Sequence, residues 1–104
     1  MKVYNHLMRI KFANKKLEQL AEDTPVSWLP VNVIQGVRRQ LVKLSAATDE
    51  RDLVNFRSFC YESLKGKRKG QKSIRANKKW RIIFTLDAKS EPMIVTILSV
   101  EDYH

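Results

Sequence analysis

The stretch that decides the fold covers residues 71–86 and reads Gln71-Lys72-Ser73-Ile74-Arg75-Ala76-Asn77-Lys78-Lys79-Trp80-Arg81-Ile82-Ile83-Phe84-Thr85-Leu86. Ile74 and Ala76 share a parity with Trp80 and with the apolar residues at every second position after it. Because side chains alternate across a strand, a hairpin that keeps them on one face pairs Ala76 with Trp80. The sequence therefore predicts two antiparallel strands joined by the loop 77–79.

The same register places two arginines opposite each other. Arg75 and Arg81 then share the other face of the hairpin, and guanidinium groups so placed repel each other by a few tenths to about 1 kcal/mol. A phosphate between the two side chains would turn this repulsion into attraction, so the pair is a candidate anion site. The alternative is that both side chains are solvated and splayed apart.

The remaining elements complete an α+β domain. Alternation predicts further strands at 7–12, 59–64 and 93–100, and the last is apolar on both parities, as a central strand is. Amphipathic periodicity predicts helices at 13–22 and 30–44. Since helices precede most of the strands, the sequence predicts an antiparallel sheet with the N-terminal helices packed on one face.

Four residues of the second predicted helix lie off its apolar positions or interrupt them. Arg38, Arg39 and Lys43 fall outside the three-four-three spacing of the apolar residues, so we expect them to point to water. Gly36 lies inside the helix and is expected to weaken it by about 1 kcal/mol relative to alanine. None of the four therefore receives a functional role from the sequence.

Charge is concentrated in one part of the chain. Nine of the 20 Lys and Arg residues lie between Lys65 and Arg81 with no acid among them, and the other 11 are balanced by 11 Asp and Glu. The whole net charge of +9 belongs to this window, which favours a polyanionic partner. Composition alone does not distinguish between DNA, RNA and a membrane surface as this partner. DNA is the weakest of them, because the cations lie on predicted strands and loops.

Length and composition bound the class of protein. The 104 residues predict a single domain, 1–104. No apolar run approaches the roughly 20 residues of a spanning helix, and the N-terminus lacks the pattern of a secretion signal. The lone Cys60 is expected to be a small buried residue in a reducing cytoplasm. One Cys and two distant His provide no metal-ligand spacing, so neither a metal nor another cofactor is expected.

If the polyanion is RNA, cleavage requires no metal. The 2′-OH attacks the adjacent phosphorus while a base takes its proton and an acid protonates the leaving 5′-oxygen. The candidates for proton transfer are Glu62, Asp102, Tyr103 and His104, and those for charge stabilisation are Lys65, Arg75 and Arg81. Each also has an ordinary interpretation: a solvated end for His104, a packing residue for Tyr103, and exposed carboxylates for Asp102 and Glu62.

Arg81 is the preferred cation among these candidates, because it follows Trp80 in a strand and should be held rigidly. The other cations of the window are expected to contact RNA phosphates and to contribute affinity rather than chemistry. They are Lys67, Arg68, Lys69, Lys72, Arg75, Lys78 and Lys79.

A family resemblance covers residues 64–104. The motifs Leu64-Lys65-Gly66, Ser73-Ile74-Arg75, Trp80-Arg81 and the closing Asp102-Tyr103-His104 stand here in the order and spacing of a known pattern. In these motifs the sequence resembles the HigB toxins of the RelE superfamily. A weaker likeness extends back through residues 41–48, and the first thirty or so residues match poorly.

The resemblance implies a RelE-like compact α+β ribonuclease that cuts messenger RNA on the 70S ribosome and so inhibits translation in the cytoplasm. It also implies a cognate HigA-like helix-turn-helix antitoxin as a partner. Carried over by position, the resemblance gives functional roles to Lys65, Arg81, Asp102, Tyr103 and His104, and a phosphate contact to Arg75.

One departure from the family pattern bears on activity. Many HigB toxins have a histidine two residues before the Leu-Lys-Gly motif, and this chain has Glu62. A carboxylate can act as a base, so a metal-independent endoribonuclease is expected, although one that is weak if the exchange is unfavourable. The alternative is a catalytically weak or inactive RNA- or ribosome-binding domain that retains antitoxin binding.

Overall fold

A five-stranded sheet organises the protein, and the computed structural model describes residues 8–102. The strands are β1 (Arg9–Phe12), β2 (Glu62–Ser63), β3 (Gln71–Arg75), β4 (Trp80–Asp87) and β5 (Ile94–Asp102). The α-helices are α1 (Lys15–Glu18), α2 (Val31–Ser45) and α3 (Glu50–Asn55). Short 3₁₀ turns occupy Gln19–Ala21, Arg57–Phe59 and Gly66–Arg68.

The strand order in the sheet is β1-β5-β4-β3-β2. The pairs from β2 to β5 are antiparallel, and β5 lies inside the sheet as its two-sided apolar pattern predicted. The expectation of a wholly antiparallel sheet is wrong for one strand, because β1 runs parallel to β5 with Arg9 opposite Ile94. The helices separate β1 from β5 along the chain, and a long crossover of this kind allows parallel pairing.

The predicted hairpin register is confirmed. Arg75 lies opposite Arg81 in the ladder, and the amide of Ala76 donates to the carbonyl of Trp80 at 2.8 Å. The loop is closed by the side chain of Asn77, whose Oδ1 accepts from the amides of Lys79 and Trp80, each at 2.9 Å. An asparagine that bonds to backbone two and three residues ahead is a frequent turn former, which accounts for the short loop.

The helices cover one face of the sheet, as expected. Ile74, Ile82, Phe84, Val95 and Ile97 project from the strands into a single buried cluster. The α2 residues in the same cluster are Val33, Ile34, Val37, Leu41 and Leu44. Within residues 8–102 no α-helix packs on the opposite face of the sheet, which we call the helix-free face and which carries the candidate site.

Helix α2 docks closely on the β3–β4 hairpin. A Cβ atom at Gly36 would overlap the backbone carbonyl oxygen of Ala76, so the glycine permits the close approach of helix and hairpin. Four residues later, Nε2 of the buried Gln40 donates to the carbonyl of Arg75 at 2.8 Å and to that of Ser58 at 3.0 Å. Gly36 therefore has a packing role beyond the weakening of the helix that the sequence indicated.

Arg38 differs from the expectation that it points to water. Its Nε donates to the carbonyl of Leu20 at 3.2 Å, and its Nη2 donates to those of Gln19 and Thr24 at 3.2 and 2.6 Å. Gln19 and Leu20 belong to the 3₁₀ turn that ends the first helical segment, and Thr24 lies in the loop after it, so Arg38 ties this loop to α2. Arg39 and Lys43 are exposed, as predicted.

The strand expected at 59–64 is confined to Glu62–Ser63. A 3₁₀ turn ends with the buried Phe59, and Cys60 then adopts a left-handed conformation with a φ of 46°. The Cys60 side chain is exposed, so the expectation of a buried cysteine is wrong. Phe59 takes the buried position instead, because the turn directs its side chain into the core.

A β-bulge in β5 changes which residues face which side of the sheet. Phe84 pairs with Ile97, but the neighbouring Ile83 pairs with Ser99, so Leu98 is an extra residue on β5. One inserted residue reverses the alternation of every side chain after it. As a result Ser99 and Glu101 share the helix-free face with Ile83 and Arg81.

Candidate functional site

The centre of the site is the buried guanidinium of Arg81 on the helix-free face. Only 6% of this residue is exposed. Its Nε and Nη2 donate to Oγ of Ser73 at 3.2 and 2.7 Å, and Nη2 also donates to the carbonyl of Cys60 at 2.7 Å. Neighbouring acceptors of this kind offset the free energy that is lost when a cation leaves water. Arg81 is therefore held rigidly, as its position in the strand predicted.

An exposed carboxylate lies beside this buried cation. Glu62 pairs with Ser73 across β2 and β3, and its Oε1 lies 3.6 Å from Nη2 of Arg81. The Glu62 side chain is 49% exposed, against 7% for that of Arg81. The structure thus brings together a carboxylate open to solvent and a fixed positive charge, a pair of groups that can serve an attack on a phosphodiester.

The segment that leads into β2 is fixed by the core. The ring of Tyr61 stacks on Phe84 with centroids 6.2 Å apart, and its hydroxyl donates to Glu50 of α3 at 2.7 Å. Burial, followed by this hydrogen bond, raises the pKa of Tyr61, so the phenol stays protonated and keeps donating. A strand of two residues has little order of its own. Tyr61 therefore contributes to the position of Glu62.

The two arginines of the predicted anion pair have different environments. Both occupy the expected opposite positions in the ladder. Arg81 turns its guanidinium toward Ser73 and Cys60 and is buried, whereas Arg75 is exposed. The interpretation that both are solvated is therefore wrong for Arg81. Arg75 remains available to contact a phosphate.

The end of β5 places its two acids on opposite faces. Glu101 lies opposite Arg81, whereas Asp102 lies opposite Trp80, on the face that carries the helices. Oε2 of Glu101 accepts from Nη2 of Arg68 at 2.8 Å and from Oγ of Ser99 at 2.6 Å. The sequence singled out Asp102, but the bulge makes Glu101 the acid on the face of Arg81. Tyr103 and His104 lie outside the described residues.

The other predicted cations divide between three places. Lys65 directly precedes the 3₁₀ turn of the loop 65–70 and is exposed together with Lys67 and Lys69. Lys72 lies opposite Phe84, on the helix side of the sheet, and its Nζ donates to Oγ of Ser63 at 3.0 Å. The exposed residues Lys78 and Lys79 occupy the tip of the β3–β4 hairpin. The face of Arg81 therefore carries only part of the predicted RNA-contacting set.

Sequence reasoning missed Ser73, the carbonyl of Cys60 and Glu101. Parity could have identified Ser73, because it alternates with Arg75 and falls on the face of Arg81. No local signal could have revealed the carbonyl of Cys60, which is brought to Arg81 by a left-handed turn. Glu101 was hidden by the bulge at Leu98.

Two further features concern metals and membranes. Within residues 8–102, the His, Cys, Asp and Glu side chains nowhere form a group of three or more that could hold a metal ion. In the same part of the chain, none of the helices has the length and apolar character that crossing a bilayer requires.

The fold is that of a class of small toxin domains. The YoeB–YefM complex from Staphylococcus aureus matches with a TM-score of 0.57 at 18% identity, over 93% of this chain and 97% of that chain. The RelBE2 toxin–antitoxin complex from Mycobacterium tuberculosis matches with a TM-score of 0.54 at 18% identity, over 92% of this chain and 91% of that chain. At these identities the likeness shows the fold, which is that of YoeB and RelE toxins.

Sequence comparison identifies the family. The family model described as "RelE-like toxin of type II toxin-antitoxin system HigB" matches residues 10–104. Toxin HigB-1 of Vibrio cholerae serotype O1 is 40% identical over 78 residues, which are 74% of this chain and 82% of that protein. The chain belongs to the HigB-like toxin family of type II toxin–antitoxin systems, as the motifs at residues 64–104 indicated.

Proposed function

We propose that this toxin is a metal-independent endoribonuclease that cleaves messenger RNA on the ribosome and thereby inhibits translation. The observation that carries the proposal is the exposed Glu62 carboxylate, 3.6 Å from the buried guanidinium of Arg81. Ribosomal RNA and messenger RNA are polyanions, and the basic window 65–81 that holds the net charge of +9 supports binding to them.

The reaction assigns one role to each group. Glu62 takes the proton of the 2′-OH, whose oxygen attacks the adjacent phosphorus. The P–O2′ bond forms and the P–O5′ bond breaks, which leaves a 2′,3′-cyclic phosphate and a 5′-hydroxyl. Arg81, with Lys65 and Arg75, offsets the charge that develops on the phosphate oxygens. His104 is assigned the protonation of the leaving oxygen, because histidine is the side chain best suited to proton transfer near neutral pH.

The roles of Asp102 and Tyr103 rest on the family pattern. In the proposal, Asp102 orients His104 and Tyr103 stacks on a base next to the cleaved bond. The phosphate contacts along the bound strand come from Lys67, Arg68, Lys69, Lys78 and Lys79, and they contribute affinity rather than chemistry.

The proposed protein partner is a HigA-like helix-turn-helix antitoxin, and the proposed location of the pair is the cytoplasm. The YoeB and RelBE2 structures are themselves toxin–antitoxin complexes, which supports a protein inhibitor for a toxin of the same fold. Family membership supports the type of system in which the two proteins act.

A second candidate is a binding domain without catalysis. The observation that favours it is the ion pair itself, because Glu62 and Arg81 partly offset each other's charge. Such a domain would block the ribosome through its exposed lysines and would lose affinity gradually with each cation removed and with rising salt.

The experiment is growth arrest upon induced expression, combined with primer extension on a reporter message. The variants are Glu62→Gln, Arg81→Lys and His104→Ala, and Lys89→Gln in the exposed β4–β5 turn is the matched control. Glu62→Gln should lower cleavage about 10²–10⁴-fold, and Arg81→Lys about 10²–10³-fold. His104→Ala should abolish growth arrest. Lys89→Gln should arrest growth and cleave the message as the parent protein does.

Discrete new 5′ ends that depend on Glu62 and Arg81 would support the nuclease. Arrest without such ends would favour the binding domain. Full toxicity of His104→Ala would remove the proton-transfer role assigned to that residue. Circular dichroism of each purified variant distinguishes a chemical loss from a failure to fold.

A further inference from the structure

An ion pair joins the basic loop 65–70 to the far side of the helix-free face. Arg68 lies in the loop between β2 and β3, and Glu101 lies on β5, 33 residues further along the chain. Nη2 of Arg68 and Oε2 of Glu101 are 2.8 Å apart. Since β4 and β3 separate β5 from the loop in the sheet, Arg68 reaches across the face that carries Arg81.

The loop needs such a contact to adopt one position. It is flanked by Gly66 and Gly70, both with positive φ, and its two internal backbone bonds are 3.1 and 3.2 Å long. Its four cations are Lys65, Lys67, Arg68 and Lys69, and their mutual repulsion, together with that of Arg81, favours a loop that moves away from the sheet. A carboxylate on the sheet opposes this repulsion.

Contacts other than the one with Arg68 also hold Glu101 in place. It pairs with Arg81 in the β4–β5 ladder, and its Oε2 also accepts from Oγ of Ser99 on the same strand at 2.6 Å. The side chain of Glu101 is 34% exposed, so it is partly sheltered from solvent. The bulge at Leu98 turns both Ser99 and Glu101 toward this face.

We propose that Glu101 is a positioning residue that acts through Arg68, and we call this ion pair the latch. The latch holds the loop 65–70 over the face of Arg81, so that Lys65 is in place when a phosphate binds next to Glu62. Arg68 thereby has a structural role in the site, in addition to the phosphate contact proposed for it. The catalytic part of this inference rests on the proposed nuclease function.

Burial on the helix-free face agrees with a loop that lies over it. Ile83 is 1% exposed and Ser73 is 0% exposed, although both project away from the helices. In an uncovered sheet these side chains would contact water. The Arg81 guanidinium covers Ser73 through two hydrogen bonds, and a loop drawn toward β5 by the Arg68–Glu101 ion pair would lie over the same face.

The ion pair that forms the latch is present at neutral pH. The hydrogen bond from Arg68, and then that from Ser99, lowers the pKa of the Glu101 carboxyl below its ordinary value of 4.5. A carboxyl with a lowered folded-state pKa contributes stability above its unfolded pKa and loses it as the pH falls through the folded value. The latch is therefore lost only in acid, and assays at neutral pH report on the closed loop.

The test uses Glu101→Gln in the full chain, with Glu91→Gln as the matched control. Both variants gain one positive charge, but Glu91 is an exposed residue of the β4–β5 turn. The first readout is the rate at which trypsin cuts native protein after Lys65, Lys67 and Lys69, resolved by mass spectrometry. Glu101→Gln should raise it about two- to fivefold, the range expected when a partly exposed ion pair is lost.

The second readout is RNA cleavage by the same proteins. Glu101→Gln should lower kcat by about the same two- to fivefold factor without raising KM, because the added positive charge does not weaken RNA binding. Arg68→Gln should also lower kcat, and the double variant should lose no more than either single one, since both changes break one interaction.

The outcomes separate the inference from the proposed function. Faster trypsin cutting in a protein without nuclease activity would support the latch and contradict only the nuclease proposal. Trypsin rates equal to those of Glu91→Gln would overturn the latch whatever the nuclease assay gives. A loop that opens while kcat stays unchanged would overturn the positioning role. Higher RNA affinity with unchanged kcat would instead identify Glu101 as a competitor of phosphate for Arg68.

Discussion

At the scale of single residues, the acceptors around Arg81 explain how a cation can be buried on a sheet face. A guanidinium carries five N–H donors, and each one left without an acceptor in the protein interior is destabilising. Ser73 supplies one oxygen to two of these donors, and the carbonyl of Cys60 supplies another. The left-handed backbone at Cys60 is the conformation that brings its carbonyl to the site.

Ser73→Ala tests this arrangement. The change removes an acceptor that Nε and Nη2 of Arg81 share, although Nη2 keeps the carbonyl of Cys60, and Ser73 is fully buried. We expect the free energy of unfolding in urea to fall by about 1–3 kcal/mol, because a buried charged donor loses its partner. Ser27→Ala at an exposed loop position should change it by less than about 0.5 kcal/mol. Equal values for the two variants would mean that Ser73 does not hold Arg81.

The sequence predicted some of these residues and not others. Strand parity gave the opposition of Arg75 and Arg81, and the rigid setting of Arg81 followed from its place after Trp80. Parity cannot show that Arg81 turns toward Ser73, because the rotamer depends on where the chain segment around Cys60 packs. Contacts between residues distant in sequence therefore determined the part of the site that was missed.

At the scale of elements, the sequence predicted those helices and strands that are defined by residues close together in the chain. Helix α2 and the strands β3, β4 and β5 begin and end close to the predicted positions, since each has a clear period and turn residues at its ends. The parallel pairing of β1 with β5 and the bulge at Leu98 were not predictable in this way. Both depend on how distant segments pack, and the bulge decides which acid accompanies Arg81.

Gly36→Ala tests the docking of α2 on the hairpin. An added Cβ would overlap the carbonyl oxygen of Ala76, a backbone atom that can yield only if the helix or the hairpin moves. We expect a loss of about 1–3 kcal/mol in the free energy of unfolding, despite the gain of about 1 kcal/mol in helix propensity. Gln35→Ala, one position earlier and exposed, should be neutral or slightly stabilising. A stabilised Gly36→Ala protein would contradict the close approach.

At the scale of the whole molecule, the charge pattern is more structured than the composition indicates. The net charge of +9 belongs to the window 65–81, yet the face of Arg81 also carries the acids Glu62 and Glu101. One acid lies beside Arg81 and the other binds Arg68. Long-range attraction of RNA thus depends on the cations of the window, whereas the local arrangement of the site depends also on the two acids.

The carboxylate of Glu62 and the fixed charge of Arg81, as we propose, promote attack by the RNA 2′-OH. The most direct measurement uses purified toxin, programmed ribosomes and a message with a single 2′-deoxynucleotide at a mapped cleavage site. This mechanism predicts that the all-ribose message yields a 2′,3′-cyclic phosphate end and that the deoxy position is not cut. Cleavage of the deoxy position at the rate of the all-ribose message would contradict it.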